Sequence, residues 1–274
     1  MSESVLSPGI DPPSPTLSAR LREMADYLAA PAAGRLTEEQ RALSLGIARR
    51  MVIDVAARLD PAIDPAALWN EWLGGGLPSA TRIAGVCFAR AEEDRWREQS
   101  APRSSPPPPL AAPGAANGES PVVGEELSDV ARAYLAVQIA DRRRFDALGN
   151  PAIAIPDLDG EIFRALLLDI AAWRLAEVSK DAKRAARLGD AVRAETDRQA
   201  AESGIAEAGR AYYAVLGADA ADAAAAAIAR HDWPVLIALA AAAQRRGYDD
   251  MALALLTAES AALPSLFAPL RLDH

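Results

Sequence analysis

Histidine occurs twice in the chain, at His231 and His274, and cysteine once, at Cys87. That scarcity bounds the chemistry. A nucleophile–His–acid triad or an imidazole-rich metal site cannot be assembled from two histidines without unusual partners. The adjacent pair His231-Asp232 has the residue types of a metal site, but metal-dependent hydrolysis needs several further histidines. The pair also falls at a predicted helix boundary, where Asp232 reads as a cap. Cys87 lies between Val86 and Phe88 on an amphipathic stretch, the setting of a small core residue rather than an activated thiolate. Gly74-Gly75-Gly76 lacks the Gly-Lys-Ser/Thr sequel and the preceding strand of a phosphate loop, and reads as a helix end and turn. The carboxylate runs Glu92-Glu93-Asp94 and Asp249-Asp250 do not repeat the Glu-x-x-His spacing of two-metal bundles and are expected on solvated faces. No catalytic, cofactor-binding or metal-ligating residue is assigned, and no cofactor is expected.

Two sets of residues suit binding instead. Trp69 and Trp72 stand at i, i+3 on a short helix beside the glycine run. They read either as core or as an exposed aromatic anchor for a partner. Arg184, Arg187 and Arg193 lie on a stretch that is polar almost all round, so it stands in solvent or is stabilised by a partner. A second possibility is a small-molecule pocket among Phe163, Trp173, Tyr212, Tyr213 and Trp233.

The elements that position these residues are helices. Leu43, Ile47, Met51, Val55 and Leu59 recur at i, i+4, and Thr37 with Gln40 forms a capping box in front of them. Asp64-Pro65 restarts the chain as a short helix. Ile83, Val86, Cys87, Ala91 and Trp96 mark the next one, whose end at 90–99 reads as charged and solvated. Leu17, Leu21, Met24, Ala25 and Leu28 predict an earlier helix at 16–30, behind a disordered tail at 1–15. Residues 100–122 contain Pro106 to Pro109 and almost no large side chain, and are expected to form a disordered linker. Beyond it come a helix at 125–148, a long helical region from Gly160 with breaks at Gly189 and Gly204, and short helices at 205–216, 219–230, 233–246 and 251–262. The expectation is an all-α protein of two helical domains, 16–99 and 123–274, with the second built as stacked helical hairpins.

The segments Leu36-Thr-Glu-Glu-Gln-Arg-Ala-Leu43 and Arg49-Arg50-Met-Val-Ile-Asp-Val-Ala-Ala-Arg-Leu59 resemble the opening of an uncharacterised alphaproteobacterial family of HEAT-like helical proteins. The resemblance covers about residues 20–60. It implies a regulatory or scaffolding role and brings no catalytic residues. The chain departs from it at Trp69, Trp72 and the proline-rich stretch.

Composition agrees with closely packed helices. Hydrophobic residues make up 51% of the chain, but aromatics only 5%, and alanine supplies much of the remainder with its high helix propensity. The formal net charge is −9, and neither half is basic, so nucleic acid is not an expected partner. No apolar run reaches the roughly 20 residues of a membrane span, the N-terminus has no signal-peptide pattern, and one cysteine permits no internal disulfide. These features predict a cytoplasmic protein. The leading functional expectation is a non-catalytic adaptor or regulatory protein binding another protein or a second copy of itself. The alternatives are a helical small-ligand sensor and, third, an enzyme of unfamiliar type.

Overall fold

The computed structural model describes residues 36–100, 127–178, 181–258 and 262–270. Among these residues the chain is helical, and the one β feature is an isolated antiparallel bridge between Phe145 and Pro151. The all-α class is met. The predicted tail at 1–15, the predicted helix at 16–30 and nearly all of the predicted linker lie outside the described residues.

Local chemistry accounts for the helix starts. Before α1 (Glu38–Leu59), the Thr37 N–H donates to Gln40 Oε1 at 2.8 Å and the Gln40 N–H to Thr37 Oγ1 at 3.1 Å, the reciprocal capping box. The Asp64 carboxylate caps α2 (Pro65–Gly75) by accepting from the Ala66 and Ala67 N–H groups at 2.9 and 3.3 Å. There follow α3 (Ala80–Ser100), α4 (Asp129–Arg142), α5 (Gly160–Val178), α6 (Ala182–Ala201), α7 (Ile205–Leu216), α8 (Ala220–Ala229), α9 (Trp233–Gln244), α10 (Tyr248–Thr257) and the short α11 (Leu263–Phe267). A 3-10 turn at Ile155–Asp157 precedes α5.

Several boundaries differ from expectation, each for a local reason. The helix expected to reach Leu148 stops at Arg142. The Asp146 carboxylate there organises a tight loop by accepting from the Leu148 and Asn150 N–H groups at 2.8 and 2.9 Å. The long region from Gly160 breaks before Asp181, which caps α6, while Gly189 lies inside α6. Asp232 makes no cap bond to α9. Its carboxylate instead accepts from Tyr134 Oη at 2.8 Å and Gln138 Nε2 at 3.1 Å, tying α4 to α9.

Residues 42–274 form a compact unit that holds two hydrophobic cores. The first joins α1, α2, α3, the 3-10 turn, α5 and α6 through Met51, Val55, Trp69, Ile83, Phe163 and Leu166. The second joins α4 and α7 to α10 through Val137, Ile205, Tyr212, Leu236, Leu239 and Met251. Alanine and glycine let the second core pack closely: a Cβ on Gly209 of α7 would stand 2.8 Å from the Ala238 Cβ of α9. The first core therefore takes helices from both sides of residues 101–126, whereas the second is built from helices that follow it. This packing differs from the expected division into 16–99 and 123–274. The apolar face of α5 packs in the first core with the bulky residues of α1 to α3 and with Leu188 of α6.

Candidate functional site

Where the two cores meet, α3 carries charge into the interior. Its apolar stripe, Ile83 and Cys87, continues at helical spacing into Arg90, Asp94 and Arg97. The Arg90 and Glu93 side chains have no exposed surface, and Arg144, just beyond α4, is 2% exposed. Glu93 is the hub. Arg144 Nη2 approaches its Oε2 at 2.8 Å, Arg144 Nη1 donates to Oε1 at 3.0 Å, Tyr248 Oη donates to Oε1 at 2.9 Å, and Arg97 donates to the same oxygen. Arg97 also grips Asp141 with both nitrogens, at 2.6 and 3.1 Å. Arg90 donates to the Ala152 and Arg144 carbonyls, each at 3.2 Å, and its Nη2 lies 3.5 Å from Asp94. Arg144 further approaches Asp249 at 3.4 Å and Asp157 at 3.6 Å. The Phe145 ring lies 4.7 Å from the Arg90 guanidinium, and Tyr248 lies 4.5 Å from that of Arg144, cation–π contacts that replace lost hydration.

The electrostatics follow from burial and charge count. Burial alone pushes Glu93 upward, but the Arg144, Arg97 and Arg90 guanidiniums outweigh it and hold the carboxyl well below its usual range. Burial pushes Asp249 up to about 6, with Arg144 only partly opposing, and raises Asp157 as well. Burial, reinforced by Arg144, pushes Arg90 down to about 10. A cleft of about 540 Å³ borders this junction along Asp157, Tyr248 and Asp249, with Gly204, Ile205 and Arg210 on its other side.

A separate groove of about 290 Å³ runs between the α1–α2 connection, α5 and α6. Its floor is Leu59, Leu188 and Ala191, and its walls are Asp60, Arg174, Arg184 and Arg187. Arg174 is held by Asp60 at 2.9 Å and Glu177 at 2.8 Å. Arg184 and Arg187 are exposed and make no ion pair among the described residues.

The sequence candidates are divided by this arrangement. Arg184 and Arg187 share the groove, whereas Arg193 lies elsewhere on α6, exposed and paired with Asp190. Trp69 and Trp72 are 5% and 6% exposed in the first core, so neither is a surface anchor. Their i, i+3 spacing turns both inward together. The five pocket candidates do not converge. Phe163 is core, and Trp173 is half-buried, donating from Nε1 to Glu71 at 2.8 Å. Tyr212, Tyr213 and Trp233 belong to the second core, and Trp233 also meets Trp96 of α3 in a tilted ring contact, centroids 4.1 Å apart. The polar α6 lies along α5 with Leu188, Glu195 and Gln199 buried, so its stabilising partner is internal.

Charge at 90–99 predicts a solvated helix end, whereas the structure buries Arg90, Glu93 and Asp94. The usable signal was the position of Arg90 and Arg97 on the continuation of the Ile83–Cys87 stripe. Cys87 is buried and its thiol is pushed up to about 12 by burial, which removes its nucleophilic form at neutral pH. Among the described residues no three His, Cys, Asp or Glu side chains are grouped to hold a metal ion, and no helix is long and apolar enough to cross a membrane. Neither a family model, nor a curated protein, nor a solved structure matches the chain.

Proposed function

We propose that the protein is a cytoplasmic, non-catalytic adaptor or regulatory protein that acts by binding an acidic segment of another protein. The observation that supports this reading is the pair Arg184 and Arg187, unpaired among the described residues and set on the wall of an apolar-floored groove. On a chain of net charge −9, two neighbouring guanidiniums that make no ion pair among the described residues, with only Asp60 of the same groove in the field of Arg184, are available for a ligand. Arginine suits the task because its planar fork binds carboxylates in pairs of hydrogen bonds. The resemblance of about residues 20–60 to an uncharacterised family of HEAT-like helical proteins, which implies a regulatory or scaffolding role, agrees with this reading.

A fluorescein-labelled hexaglutamate peptide tests the groove by anisotropy. Binding should weaken about tenfold or more in the Arg184→Glu/Arg187→Glu variant, the loss expected for two charge-assisted contacts. Arg193→Glu, already paired and away from the groove, should bind as the wild type does. Equal loss in both variants, or equal affinity for a neutral peptide, would overturn the reading.

The cleft beside Asp249 favours a second reading, a helical small-ligand sensor. Its size falls within the roughly 300–1,000 Å³ of ligand sites. A thermal-shift screen of small amines that moves nothing would count against it.

A further inference from the structure

We propose that the ionic junction is a protonation-controlled joint: a proton retained on its α10 side seats α10 against α3 and α4, and loss of that proton loosens the contact between the two cores. Glu93, Asp94, Asp141, Asp157 and Asp249 bring five carboxyl groups into contact with three guanidiniums, those of Arg90, Arg97 and Arg144. A buried cluster with two carboxyl groups in excess cannot ionise them all without a large cost, because neighbouring like charges in a poorly solvated site repel strongly.

Geometry shows where the proton resides. Glu93 accepts from two arginines and a tyrosine, and Asp141 takes both nitrogens of Arg97. Asp94 faces Arg90 at 3.5 Å, Asp157 accepts from the Ile205 N–H at 2.6 Å besides lying 3.6 Å from Arg144, and Asp249 has one contact, to Arg144 at 3.4 Å, a guanidinium that already serves Glu93. The groups around Asp249 are Glu93, Arg90 and the Cys87 thiol from α3, Arg144 from the turn after α4, and Asp157 from the 3-10 turn. On its own helix Tyr248 and Asp250 adjoin it. Burial accordingly pushes Asp249 up to about 6, inside the range over which cellular pH varies. Asp249 and Tyr248 occupy the first turn of α10, so the charge state of this turn acts directly on how α10 is held.

The joint contains its own reporter. Trp96 of α3 and Trp233 of α9 meet across it in a tilted ring contact, centroids 4.1 Å apart, and separation of the cores would part them. His231 stacks on Trp233 at 5.4 Å, so the titration is made in a His231→Asn variant to remove the imidazole. Between pH 5 and 8 the tryptophan signal should change with a midpoint near 6. The change should vanish in Trp96→Phe. Amides of α10, corrected for intrinsic rate, should exchange at least about tenfold faster at pH 8 than at pH 5, while α8 stays unchanged. Asp249→Asn should keep α10 protected at both pH values, and Asp250→Asn should retain the wild-type response. A transition that survives in Asp249→Asn overturns the proposal. So does wild-type α10 exchange that does not differ from α8 in its pH response, whatever the variants do. None of these readouts involves the Arg184–Arg187 groove, so either reading can fail without the other.

Discussion

At Glu93 two arginines and a tyrosine converge on one carboxylate with no exposed surface. The desolvation of such a group is offset only while its partners stay in place. Glu93→Gln keeps the shape but leaves Arg144 and Arg97 short of negative charge. It should cost about 3–5 kcal/mol, the usual penalty for breaking a buried pair from one side, measured by urea unfolding. The pH profile has two limbs with opposite causes. Glu93 is held below its usual range, so its contribution is present above the ordinary glutamate value and lost as pH falls. Asp249 is raised, to about 6. Its contribution is present below the ordinary aspartate value and lost as pH rises through 6, an effect of at most about 3 kcal/mol. Stability in wild-type protein should therefore decline between pH 4 and 7, and Asp249→Asn should flatten that decline.

Among the elements, α7 and α9 show most directly how composition becomes packing. Gly209 places the α7 backbone against Ala238 at a distance no larger residue permits. Gly209→Val should lower stability by about 1–3 kcal/mol through overpacking, in spite of the poor helix propensity of glycine. Thermal unfolding reads this as a drop of about 2–4 °C per kcal/mol for a chain of this size. The capping box at Thr37 and Gln40 and the Asp64-Pro65 start were legible because each depends on residues within one turn. The role of Asp232 was not legible. Whether a carboxylate caps its own helix or accepts from Tyr134 and Gln138, more than 90 residues away, depends on which helix lies beside it.

For the molecule as a whole, the make-up of the first core bears on the piece of chain that ends at residue 100. The first core draws on both sides of residues 101–126, and the buried ionic junction of Glu93, Arg97, Asp141, Arg144 and Tyr248 joins them again, so cutting the chain there should not release two folded modules. With a protease site engineered between residues 101 and 126, the cleaved protein should elute from gel filtration at its uncut size and separate only in denaturant. Expressed alone, the piece up to residue 100 should lack a cooperative transition, since α5 and α6 complete its core. Two independently folding fragments would contradict the shared first core.

The sequence by itself determined the all-α class, several helix starts and the poverty of reactive side chains, because periodicity, caps and residue counts are local properties. Only the tertiary structure decided that Trp69 and Trp72 turn inward, that the five aromatic candidates fall in two cores, and that the charged end of α3 is buried rather than solvated. The physical reason is common to all three. A helix has the same periodicity whether water, an apolar face or an arginine from 50 residues away stands opposite it, and the identity of that neighbour is set by long-range packing alone.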